Sequence, residues 1–357
     1  MIKLCFYTIL LPQMLFANLD YKIGQLLIPY VDATCIDEST YDFLSTYKPG
    51  GIILFKFSNS LHSQDQVKEL TSGLQHQAEE LNLPPLFICA DQEGGRVTTL
   101  PDGFTHFMDN GKLGHIDSET LTYQSAKKVG VKMLEMGVNF NLAPVVDIHS
   151  HHANPIIGCR AYGSSPEIVA KHGLMATCGF AESGILSCLK HFPGHGGVDV
   201  DSHKALPILF KSRAEIEAFE LIPFKAILNA SPAIMTAHLR VPALDPHHCA
   251  TLSKKIVTGL LRNDMGYRGL IVTDSLTMGA ILEECSDIGE AALLAFEAGA
   301  DLIIIGGRET ELRYDPQHEK DLNAIQSSFI KAIKSGRITL KRLEESLSRI
   351  EAAKSNL

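Results

Sequence analysis

Short apolar runs bounded by Gly, Pro or polar residues recur near residues 24–28, 51–55, 86–90, 138–143, 185–189, 233–237, 269–273 and 301–305. Each has the length of a buried strand. Between most of them lie stretches whose apolar residues follow a helical period, at 64–81, 119–136, 166–183, 214–229 and 253–265. Alternating strands and helices imply parallel strands. About eight such repeats in 357 residues predict an α/β protein built as a closed (β/α)8 TIM barrel, a reading strengthened because no G-x-G-x-x-G follows a strand. The segment 339–354 reads as an added C-terminal amphipathic helix. No low-complexity linker interrupts the chain, so a single domain over 18–357 is expected. The stretch 190–206, rich in Gly and His after the fifth strand, exceeds the roughly 12 residues beyond which loops in compact domains are usually functional.

Composition narrows the partners. With 45% hydrophobic residues, 20% charged residues and a net charge of −9, the chain can bury a large core. It has no Lys/Arg-rich run, which disfavours nucleic acid and anionic membrane surfaces and favours a small neutral substrate. Past the N-terminus no apolar run has the length of a bilayer span, so no stable membrane insertion is expected. At the N-terminus, Lys3 followed by a largely apolar stretch to Ala17 has the order of a secretory signal peptide over 1–17, predicting a periplasmic or secreted protein. The eight cysteines pull the other way, towards the cytoplasm: they show no C-x-x-C, and Cys89 and Cys188 lie inside strand-like runs as reduced, buried thiols.

Barrel active sites gather at the carboxyl ends of the strands. The polar residues that follow the apolar runs are Asp91, Asp147, Lys190 and His191, His238 and Asp274. Asp274, in G-L-I-V-T-D-S-L-T-M-G, reads either as a helix N-cap or as a nucleophile or base facing the barrel mouth. The segment K-H-F-P-G-H-G-G-V-D-V-D-S-H carries three histidines, which invites a metal reading. Its Asp201-Ser202-His203 spacing suggests another: a carboxylate that fixes one imidazole nitrogen and leaves the other to move a proton. Retaining glycoside hydrolysis needs one carboxylate to attack the anomeric carbon and a second group to protonate the leaving oxygen, roles open to Asp274 and His203.

The chain resembles the family 3 glycoside hydrolases, specifically the single-barrel bacterial β-N-acetylglucosaminidases. The resemblance rests on P-G-G-I-I-L-F at 49–55, D-Q-E-G-G-R-V at 91–97, N-P-I-I-G-C-R-A-Y-G at 154–163, K-H-F-P-G-H-G with D-S-H at 190–203, and T-D-S-L-T-M at 273–278. It implies a cofactor-free, metal-free β-N-acetylhexosaminidase that releases terminal β-linked N-acetylglucosamine, with peptidoglycan fragments as the favoured substrate class. By the same resemblance Asp274 forms the glycosyl-enzyme and His203 is the acid/base with Asp201 behind it. Asp91, Arg160, Lys190 and His191 bind the terminal sugar, while Glu93 and Arg96 hold their loop together. Two departures stand out: Thr99 where muropeptide-cleaving relatives carry arginine, and Gly197 where many carry aspartate. His149, His151 and His152 form a further cluster, read as a solvated loop. The alternatives are a family 3 β-glucosidase, a metal-dependent barrel hydrolase and a non-catalytic sugar-binding protein.

Overall fold

The computed structural model describes residues 18–56, 58–101, 107–306, 317–355 and 357, so the expected signal peptide lies outside the described residues. Eight strands carry the parallel sheet: β1 (Leu27–Pro29), β2 (Gly51–Ile53), β3 (Phe87–Ala90), β4 (Phe140–Asn141), β5 (Leu186–Phe192), β6 (Ala233–Thr236), β7 (Leu270–Thr273) and β8 (Ile303–Ile305). Parallel ladders join β2 to β7 in chain order, with Ile52 opposite Ile88 and Leu270 opposite Ala233. A single parallel bridge, Val272 with Leu302, leads from β7 towards β8, and β8 pairs with β1 through Leu27 opposite Ile303. The sheet therefore curls round until its first and last strands meet. Between β1 and β2 the Gly50 amide donates to the Leu27 carbonyl at 3.0 Å.

Side chains alternate along these strands. Ile88, Leu189, Ile234 and Ile271 join one apolar cluster, and their neighbours Cys89, Cys188, Met235 and Val272 join a second. The helices start where short polar residues accept the first free amides: Asp37 and Ser212 form capping boxes, and Ser165 caps Pro166–Ser183 with proline in its first turn.

Three expectations need correction. The fifth strand does not stop at Leu189; it continues to Phe192, so Lys190 and His191 stand on the strand itself. Polar residues can extend a buried strand here because each finds a carboxylate partner, as set out below. The expected helix 214–229 is two, Arg213–Ala218 and Leu221–Ile227, since Pro223 has no amide to return to the turn containing Phe219. The first strand is shorter than expected and follows the helix Leu19–Gly24. Two antiparallel hairpins were not expected: Gln92–Gly94 with Val97–Thr98, and Arg240–Val241 with Asp245–Cys249.

Candidate active site

A cavity of about 270 Å³, near the lower bound of roughly 300 Å³ for small-ligand sites, opens at the carboxyl ends of the strands. Ile53, Leu142, Met235 and Ile304 form apolar parts of its wall. Its polar floor begins at Asp91, directly after β3. The chain then turns in a hairpin through Gly94 and Gly95, both in the left-handed region that favours glycine, and this turn places Glu93 beneath the floor. Lys190 Nζ lies 2.5 Å from Asp91 Oδ1 and 2.6 Å from Glu93 Oε1. Arg160 Nε and Nη2 donate to the two oxygens of Glu93, each at 2.8 Å. The segment bearing Arg160 is held by Asn110, which donates to the Arg160 carbonyl at 2.8 Å, and by Arg96, which donates to the carbonyls of Ile156 and Ile157.

Burial alone would raise the Glu93 carboxyl, but the charges of Arg160 and Lys190 hold it well below the usual carboxylate range. Burial would likewise lower Lys190 and Arg160, and the carboxylates beside them more than reverse this. All three stay charged. Asp91, Lys190, Glu93 and Arg160 thus form a chain of alternating charge, two anions and two cations.

One wall carries a carboxylate-backed imidazole. Asp147 is fully buried and accepts from the His191 amide at 3.1 Å and the His195 amide at 2.7 Å. Its other oxygen lies 2.6 Å from His191 Nδ1, so His191 turns Nε2 towards Arg160 Nη2, 3.5 Å away. Burial would raise Asp147, but the charge and hydrogen bond of His191 bring it below its ordinary value. His195 is also buried, which pushes its imidazole down to about 4; its Nε2 lies 3.2 Å from Ser202 Oγ.

Opposite stands Asp274, directly after β7 and facing the cavity. It accepts from its neighbour's amide, Ser275 N, at 2.7 Å. The helix that follows, Gly279–Glu284, is preceded by Met278, so Asp274 is not an N-cap. Burial raises the Asp274 carboxyl, yet His238, His191, the Ser275 amide and His203 together hold it below the usual range, favouring the carboxylate. His203 also lines the cavity, with its side chain 44% exposed. Its Nδ1 lies 2.8 Å from Asp201 Oδ1, which also accepts the His203 amide at 2.8 Å. Asp201 itself stays behind the imidazole.

The structure therefore brings Asp274, His203, Asp91, Arg160, Lys190 and His191 to one cavity. Asp147 and His238 do not line it; His238 is tied to Thr251 and to the Ser275 carbonyl. Thr99 lines the cavity as well. The His149 and His152 rings meet edge to face at 5.9 Å outside the cavity. Sequence reasoning gave Glu93, within D-Q-E-G-G-R-V, only the task of holding its own loop, whereas it pairs with Lys190 and Arg160, and it passed over Ser202 as a tether. Among the described residues no three His, Cys, Asp or Glu side chains are grouped to hold a metal ion. No described helix is long and apolar enough to cross a membrane.

Carboxylates and an imidazole around a sugar-sized cavity, at the carboxyl ends of parallel strands, define a site of the glycoside hydrolase class. The chain belongs to glycosyl hydrolase family 3: residues 18–353 match the model of the family's N-terminal domain. It is 33% identical to beta-hexosaminidase A of Pseudoalteromonas piscicida over 98% of this chain and 61% of that one. With the beta-hexosaminidase of Neisseria meningitidis serogroup C it shares 35% identity over 74% of each chain. Among solved structures, the family 3 beta-N-acetylglucosaminidase of Paenibacillus sp. str. FPU-7 superposes with a TM-score of 0.88 at 38% identity, over 94% of this chain and 62% of that one. The chain thus spans about three fifths of the Pseudoalteromonas and Paenibacillus proteins.

Proposed function

We propose that this protein is a retaining β-N-acetylglucosaminidase on a single-domain (β/α)8 barrel, closed between β1 and β2. It removes terminal non-reducing β-linked N-acetylglucosamine, with peptidoglycan fragments as the substrate class. One observation carries the reading: Asp274, held as the carboxylate, faces the same cavity as the Asp201-backed His203, across a floor of hydrogen-bonding charged groups. The names of its relatives support the sugar.

In the first step an Asp274 oxygen bonds to the anomeric carbon as the glycosidic C–O bond breaks, and His203 gives its proton to the departing oxygen. In the second, His203 takes a proton from water, the water oxygen attacks the anomeric carbon, and the Asp274 carboxylate leaves. Asp91, Lys190, Arg160 and His191 hydrogen-bond the sugar hydroxyls and fix the ring against Asp274.

The test compares initial rates on chromogenic β-N-acetylglucosaminide and β-glucoside, with and without chelator, for the wild type and Asp274→Ala. The acetylated sugar should be preferred and its hydrolysis should survive chelation. Asp274→Ala should lose activity by at least about a thousandfold with an unchanged melting temperature. Near-wild-type turnover in that variant removes Asp274 from the mechanism. Activity abolished by EDTA and restored by zinc points instead to a metal-dependent hydrolase.

A further inference from the structure

His203 reaches the cavity from a short turn whose position is set elsewhere. Within that turn the Asp201 carbonyl accepts from the amides of Lys204 at 2.9 Å and Ala205 at 3.0 Å, which ties residues 201–205 into one unit. The unit is docked on the helix Gly279–Glu284, which begins five residues after Asp274. Gly279 N donates to the His203 carbonyl at 3.2 Å, Ala280 N to the Ser202 carbonyl at 3.1 Å, and Leu206 N to Glu283 Oε2 at 2.8 Å.

Glycine opens this helix for a reason other than backbone freedom, since Gly279 does not occupy the left-handed region. A Cβ built there would lie 2.7 Å from the His203 carbonyl oxygen and 2.8 Å from that of Lys204. Both atoms belong to the turn that carries the imidazole. The three atoms nearest such a Cβ all belong to the backbone of the docked turn, which must give way to it.

We propose that Gly279 is a positioning residue for proton transfer by His203: its amide anchors the turn, and its missing side chain lets the turn sit close enough to Asp274 for one sugar to meet both. The proposal rests on the acid/base role assigned to His203 above. An added methyl pushes the turn back by several tenths of an ångström, a displacement to which proton transfer to an oxygen is sensitive and nucleophilic attack by Asp274 is not.

The test is Gly279→Ala beside His203→Ala and the double variant, with kcat and KM measured on a disaccharide and on an activated aryl glycoside whose leaving group needs little protonation. Gly279→Ala should still fold, with a melting temperature somewhat lowered by the displaced turn, and lower kcat on the disaccharide by about tenfold or more. It should leave KM and the activated substrate nearly unchanged. The double variant should be no slower than His203→Ala, and Gly279→Val should show a steeper leaving-group dependence than Gly279→Ala. Equal slowing of both substrates, added loss in the double variant, or a Gly279→Ala chain that fails to fold would assign the glycine to the fold and overturn the proposal. If His203→Ala shows its own leaving-group dependence while Gly279→Ala behaves as wild type, only the positioning role falls. If His203→Ala slows both substrates equally, the acid/base assignment fails and takes this proposal with it.

Discussion

Taking the charge from Glu93 would remove the carboxylate that Arg160 pairs with and leave Lys190 paired with Asp91. Glu93 has a side-chain exposure of 1%, so water cannot replace what it supplies. Glu93→Gln keeps the shape but turns an amide nitrogen, a donor, towards groups that only donate. Breaking one partner out of a buried ion pair costs about 3–5 kcal/mol, and urea unfolding should show a loss of that order. KM for the sugar should rise more than kcat falls, because in the proposed mechanism the loosened groups bind the ring and do not move protons. A variant as stable as the wild type, with an unchanged KM, would show that the two cations do not depend on Glu93 for their place. Much of the site was legible at this scale: Asp274, His203, Lys190 and His191 stand in polar segments that follow apolar runs, a pattern with a direct physical meaning. Glu93 and Gly279 were not, since a sequence does not reveal that a hairpin folds one beneath the floor or that a distant carbonyl occupies the space where the other lacks a Cβ.

At the scale of elements, the C-terminal helix Leu340–Lys354 was expected as an amphipathic addition, and the structure bears that out. Its last residue was hidden from such reasoning, because a terminal lysine on a periodic helix reads as solvated. Lys354 is instead 6% exposed, with Nζ 3.1 Å from Gln25 Oε1 and 5.2 Å from the centre of the Phe87 ring. Burial pushes its amine down to about 7 from 10.5, with Cys89 opposing weakly. Between those two values the unfolded chain holds a proton that the folded chain has shed, so stability rises with pH across the window and the penalty is complete below it. Lys354→Met should therefore stabilise the protein by about 2 kcal/mol at neutral pH and flatten its alkaline slope, read by denaturant unfolding at both ends of the window. An unchanged slope would place the amine in water. The strands were legible from their apolar runs, but their ends were not: β5 outlasts its apolar residues because ion pairs satisfy Lys190 and His191 inside the sheet. The split at Pro223 was there to be read, and the helical period of 214–229 overrode it.

Over the whole molecule, 41 acidic residues outnumber 32 basic ones, yet the quartet under the cavity sums to zero. A floor balanced in this way casts almost no field into the solvent, because each charge is cancelled within a few ångströms, less than the screening distance of about 8 Å at physiological ionic strength. A neutral sugar is then neither drawn in nor held back by long-range attraction, and it finds the site by diffusion and short hydrogen bonds alone. Raising the salt from dilute buffer to well above physiological strength should accordingly change KM for an uncharged β-N-acetylglucosaminide by less than about twofold. A steep salt dependence with that substrate would show that salt acts on the site itself, loosening the ion pairs that hold the floor. Where the group bound is an uncharged sugar ring, such indifference to ionic strength lets the floor hold it at one affinity over a range of salt.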